Sequence, residues 1–162
     1  MKTNNIFGFI QISITLALAM CLRILPLPSD IAALNPDWVL LTLIYWSLSL
    51  PERAGIFHAW TFGLLTDALT GRLLGQYALA YALVIFLCLN LHKRLRHFPM
   101  LQQGLFIFFC LLLSQLLLFF IKNIQHPGQL HTTFWLPIFT GTLAWPIVYG
   151  VLRLVRLPPR FR

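Results

Sequence analysis

Negative charge is nearly missing from this sequence. Asp30, Asp37, Glu52 and Asp67 are the four acidic residues among 162. No two of them share one apolar run at helical spacing, so an acid–base carboxylate dyad finds no support. Cysteine is scarce too. Cys21, Cys88 and Cys110 are odd in number, far apart, and each inside an apolar run. That pattern suggests neither a disulfide framework nor a metal site, and the three read as packing residues. His-x-x-x-His, Cys-x-x-Cys, a nucleophile elbow and a Gly-rich phosphate loop are all absent. The expectation is a protein with no catalytic, cofactor-binding or metal-binding residues, and hence not an enzyme.

What is abundant is apolar surface. Hydrophobic residues make up 59% of the chain, aromatics 14% and charged residues only 10%, against about 25% charged in a soluble domain. One core of this size cannot hide that much apolar surface, whereas a bilayer acts as its solvent. The expectation is an all-α, polytopic membrane helical bundle, one integral domain over 1–162, with about six transmembrane helices. The runs are Ile6 to Leu25, Pro36 to Leu50, Ala54 to Leu69, Leu73 to Leu91, Leu101 to Ile121 and Phe134 to Leu152. The first run is longer than a typical signal-peptide core and no small-x-small site follows it, so it reads as an uncleaved span.

The basic residues set the orientation. With the N-terminus inside, the inner loops hold Lys2, Arg53, Lys93, Arg94, Arg96, Arg153, Arg156, Arg160 and Arg162, and the outer side holds only Arg23, Arg72 and Lys122. That asymmetry favours N-in, C-in. The net charge of +8 fits anionic headgroups at the ends of apolar runs better than nucleic acid. The run from His92 to His97 and the tail from Arg153 to Arg162 read as topology anchors, or as docking points for an acidic cytoplasmic partner.

Span two is unusual. Asn35 suits an N-cap and Pro36 a first helical position, and the run to Leu50 then reaches only about 22 Å, short of a hydrocarbon core of roughly 30 Å. The apolar Ile31 to Leu34 precedes it. Two readings stand: a helix broken at Asn35-Pro36, as at transporter binding sites, or a short helix in a locally thinned bilayer. Asp67 is the most informative single residue. It lies on the outer half of span three and should face the bundle, with Arg23, Arg72 and Gln76 as candidate partners. Gly63, Asp67 and Thr70 share one helix face, small and polar as close helix contact requires. A structural ion pair or hydrogen bond, a relay, and a contact surface for another membrane protein are the readings open for it. His58 and Gln115 read as hydrogen-bonded packing residues. Pro137, Gly141 and Pro146 predict a kink in span six, and Trp38 and Trp135 suit an outer aromatic belt.

Order and spacing then become familiar. Asn35-Pro36-Asp37-Trp38-Val39-Leu40-Leu41, Tyr45-Trp46, Leu50-Pro51-Glu52-Arg53-Ala54-Gly55, Gly63-Leu64-Leu65-Thr66-Asp67, Gly71 and Leu74-Gly75-Gln76-Tyr77-Ala78-Leu79 together resemble the MreD family of rod shape-determining proteins. The likeness is densest from about Ile24 to Val84. It implies a multi-pass protein of a bacterial cell inner membrane, with no cofactor and no reaction. It implies direct association with the bitopic MreC. Through MreC it implies a direct or indirect connection to MreB, to RodA and to RodA's penicillin-binding transpeptidase. It also implies a fold similar to the substrate-binding subunits of energy-coupling-factor transporters. Asp67, Arg23, Arg72, Gln76, Asn35, Pro36, Trp38, Arg53, Gly63, Gly71 and Gly75 are the structural and interaction candidates. The expected role is a scaffold of cell elongation that binds MreC and supports regulation of peptidoglycan synthesis. The alternative is a membrane binding or transport subunit for a small molecule or lipid carrier.

Overall fold

The computed structural model describes residues 3–28, 32–95, 98–125 and 132–156. Asp30, Arg96, His97, Arg160, Arg162 and the stretch 126–131 lie outside the described residues. Within them the chain is an all-α bundle of six α-helices: α1 Thr3–Ile24, α2 Trp38–Ser49, α3 Ile56–Leu69, α4 Gln76–Leu95, α5 Met100–Gln125 and α6 Leu136–Arg156, the last preceded by a 3-10 turn, Thr132–Trp135. Successive helices reverse direction. The C-terminal ends of α1, α3 and α5 therefore meet the N-terminal ends of α2, α4 and α6. We call this the outer end, following the charge rule above.

Three stretches, Gln76–Leu95, Met100–Ile124 and Thr133–Arg156, are long and apolar enough to cross a membrane. The apolar stretches Gly8–Ile24 and Trp38–Ser49 are shorter. The difference from six full spans has a physical cause in α2. Its twelve residues rise only about 18 Å, but every residue from Val39 to Ser47 is buried. Its neighbours are α1, α4 and α6. A helix wrapped in protein need not match the lipid thickness, because other helices and not acyl chains surround it.

The lipid-facing and protein-facing surfaces separate as a bilayer requires. Trp46, Trp145, Tyr81, Ile12, Leu16 and Ile85 are among the fully buried core residues, while Phe57, Leu101, Phe120, Leu143 and Ile147 project outward. Several polar side chains inside the bundle are bonded locally or across helices, as an environment without water favours, although the buried Trp145 indole nitrogen has no hydrogen-bond partner among the described residues. The Trp46 indole N–H donates to the Thr15 hydroxyl at 2.9 Å, which itself donates to the Gln11 carbonyl at 2.8 Å, locking α2 to α1. The Gln115 amide donates to the Phe134 carbonyl at 2.6 Å, tying α5 to the turn before α6. His58 meets Phe9 edge-on, with ring centroids 5.6 Å apart. Cys88 and Cys110, distant in sequence, bring their sulfurs to 4.0 Å across α4 and α5 as buried free thiols.

Several boundaries differ from the hydropathy reading. The fourth helix begins at Gln76, not Leu73, because Gly75 (φ +106°) turns the chain there. It also continues to Leu95 through His92, Lys93 and Arg94, since helical bonding does not stop where hydropathy does. The second helix begins at Trp38, with Asp37 and not Asn35 as its N-cap. Asn35 instead accepts the Trp38 indole N–H at 2.8 Å, and Pro36 lies outside the helix.

Candidate functional site

The outer end is organised by two carboxylates, each on the start of a helix. The first is Asp67. Helix α3 ends in a Schellman arrangement: the Arg72 N–H bonds the Asp67 carbonyl at 3.1 Å and the Gly71 N–H bonds the Ala68 carbonyl at 3.4 Å. Gly71 supplies the left-handed residue this needs, at φ +63°. The chain then turns through Gly75 into α4, whose first helical bond runs from the Leu79 N–H to the Gly75 carbonyl. Gly75 is thus the N-cap position of α4, yet it has no side chain with which to cap.

Asp67 caps it from the neighbouring helix. Its fully buried carboxylate accepts the backbone N–H of Gly75 at 2.9 Å, of Tyr77 at 3.0 Å and of Ala78 at 3.4 Å. These are orphan donors that every helix leaves at its N-terminus, and a carboxylate also complements the positive end of the helix dipole. The expected partners of Asp67 need correcting here. They are backbone amides, not the side chains of Arg23, Arg72 or Gln76. The buried charge is therefore satisfied without an ion pair, which explains how a carboxylate survives among apolar helices.

Close approach makes the reach possible. At Gly63, one turn before Asp67, an added Cβ would fall 2.7 Å from the Ala78 nitrogen and 2.9 Å from the Tyr77 carbonyl carbon. Any side chain there would push α3 off the first turn of α4. Gly8 plays a comparable part at the other end, where its missing side chain leaves room for the Arg53 guanidinium.

The second carboxylate is Asp37. It accepts the Leu40 N–H of its own helix at 3.2 Å. It also accepts the Tyr81 hydroxyl of α4 at 2.8 Å and pairs with Arg23 Nη1 of α1 at 2.8 Å. One side chain thus fastens α1, α2 and α4. The Arg23 guanidinium lies 4.5 Å, and that of Arg72 5.4 Å, from the Tyr77 ring centroid, a stacking that suits arginine cations. Asp37 and Tyr81 were not singled out from sequence. The available signal was the position of Asp37 one residue before an apolar run, which is where a cap belongs.

A cavity of about 450 Å³ opens beside these groups, lined in part by Arg23, Asn35, Asp37, Arg72, Gln115 and Lys122. A second depression of about 270 Å³ runs between α1 and α6, with Trp38 and Thr42 of α2 as its floor. Its walls are almost wholly apolar. Among the described residues no group of three or more His, Cys, Asp or Glu side chains is placed to hold a metal ion.

Comparison with known proteins decides the family. The family model described as rod shape-determining protein MreD matches residues 3–155. The chain belongs to the MreD family. A curated relative, the rod shape-determining protein MreD of Haemophilus influenzae, is 28% identical over 156 residues, covering 96% of each chain. No solved structure matches. The chain is thus a membrane helical bundle of a cell-shape-determining family, and its two outer-end carboxylates lie in the segments that first suggested that family.

Proposed function

We propose that this chain is a non-enzymatic scaffold of the bacterial inner membrane that maintains rod shape by binding MreC and thereby supports regulation of peptidoglycan synthesis. MreB, RodA and the penicillin-binding transpeptidase are then reached directly or through MreC. The observation that carries the reading is the depression between α1 and α6, in a chain of a rod-shape family. Leu18, Leu22, Ile147, Val151 and Val155 form its rims, and Thr15, Ala19 and Thr42 keep its floor low. Thr15 and Ala19 are one helical turn apart, the small-xxx-small spacing that lets a further helix approach closely in a bilayer. A bitopic partner offers one transmembrane helix, and this depression suits a single helix.

Cysteines placed at Leu18 and at Ile147, on a background lacking the three native cysteines, test this in cells. Both should crosslink to cysteines in the MreC transmembrane helix, while a cysteine at Phe120 on the exposed face of α5 should not. Equal crosslinking from all three positions would contradict the assignment of the α1–α6 face.

A further inference from the structure

The charge rule leaves three cations on the outer side, and the fold gathers all three, Arg23, Arg72 and Lys122, around one cavity of about 450 Å³. They come from the end of α1, the α3–α4 turn and the last turn of α5. One carboxylate, Asp37, shares that lining, and it is already paired with Arg23. Arg72 and Lys122 thus have no carboxylate partner among the described residues lining the cavity. The Lys122 ammonium lies 4.6 Å from the Phe134 ring centroid. Among the described residues, Arg72 Nη1 and Arg23 Nε are buried without a hydrogen-bond partner. A buried unsatisfied donor costs about 1–3 kcal/mol, more on a charged group. Both nitrogens belong to arginines that line this polar cavity, so the described residues leave the two guanidinium groups incompletely satisfied beside it.

We propose that this cavity binds a phosphate monoester group, with Arg72 and Lys122 as its anchoring cations. The charge decides between anions. A phosphate monoester carries about −1.5 to −2 near neutral pH and offers three acceptor oxygens, which matches two uncompensated cations. A single carboxylate would leave one cation unbalanced. Arginine presents a planar fork suited to phosphate oxygens, and lysine a point charge. Neutral polar side chains line the same cavity in Asn35, Gln115 and Thr133. The volume lies within the usual range for small-molecule sites, roughly 300–1,000 Å³, so the phosphate can carry a headgroup-sized substituent. The site is separate from the α1–α6 depression and does not depend on the partner reading.

Thermal unfolding of the full chain in phosphatidylcholine nanodiscs at fixed ionic strength tests this. One arm adds inorganic phosphate, a second places phosphatidic acid in the disc, and controls use acetate and phosphatidylglycerol. The expected result is a saturable rise in melting temperature with phosphate, phosphatidic acid or both. A shift with phosphate identifies a free anion as sufficient, and a shift with phosphatidic acid alone identifies a lipid headgroup. Arg72→Gln and Lys122→Gln should each weaken the response at least tenfold. The proposal is overturned if neither phosphate arm gives a shift, if acetate or phosphatidylglycerol acts equally well, or if the variants respond like the parent.

Discussion

Replacing the Asp67 carboxylate by an amide of the same size isolates what the charge does for α4. The Gly75 and Ala78 amides share one oxygen and the Tyr77 amide takes the other. An asparagine keeps one acceptor and turns an NH2 group toward backbone donors. Asp67→Asn should therefore lower stability by about 1–3 kcal/mol, read as a reduced melting temperature in detergent, and Asp67→Leu should lower it further. An unchanged melting temperature for both would mean that the cap contributes nothing. The expense of an intramembrane carboxylate was legible in the sequence, and so was its inward direction. Its partners were not, because backbone amides carry no residue identity. Only the positive φ of Gly75 and the close approach at Gly63 bring them within reach. The Asp37–Arg23 pair was hidden for a related reason. Asn35-Pro36 looked like a helix start, which moved attention two residues away from the actual cap. That pair is mostly buried, with side-chain exposures of 14% for Asp37 and 15% for Arg23. Removing one partner should be costly, about 3–5 kcal/mol. Arg23→Gln should thus reduce the melting temperature clearly.

The α3–α4 pair is the most extensively packed in the bundle, and its spacing is set by a single missing methyl group. Gly63→Ala places a Cβ against backbone atoms of α4, which cannot rotate away. The expected cost is about 1–3 kcal/mol, typical of overpacking. Gly104 in α5 is the matched control, since an added Cβ there meets nothing within 4 Å. Gly104→Ala should be neutral or stabilising by up to about 1 kcal/mol through helix propensity. Equal melting temperatures for the two variants would show that the α3–α4 contact tolerates separation. Hydropathy located all six helices and the end of α3 at Leu69, but misplaced other ends. Apolar content continues through the Leu73-Leu74 turn and stops at the basic end of α4, while backbone bonding does the opposite. The shortness of α2 was legible. Its cause was not, because burial by protein on all sides and contact with thinned lipid leave the same apolar pattern.

The whole molecule has an outer end fastened by two carboxylates beside a polar cavity, and a depression down one side. At the outer end, Asp37 and Asp67 fix the starts of α2 and α4, and the three outer cations converge. Along the side, α1 and α6, joined where the Gln11 amide donates to the Val155 carbonyl at 3.4 Å, border a depression over the buried α2. The sequence pointed to a bilayer as the host of the chain and, by the charge rule, to few charges at the outer end. Which helices border such a depression is a property of tertiary packing that no local pattern records. The most direct test of the scaffold reading fills the depression without touching either carboxylate. Leu18→Trp combined with Ile147→Trp should leave the melting temperature of the purified protein near that of the parent. In a rod-shaped bacterium lacking its own MreD, the parent chain should restore rods and co-purify MreC, whereas the filled variant should leave cells rounded and lose MreC. Rod-shaped cells with undiminished MreC recovery from the filled variant would contradict it.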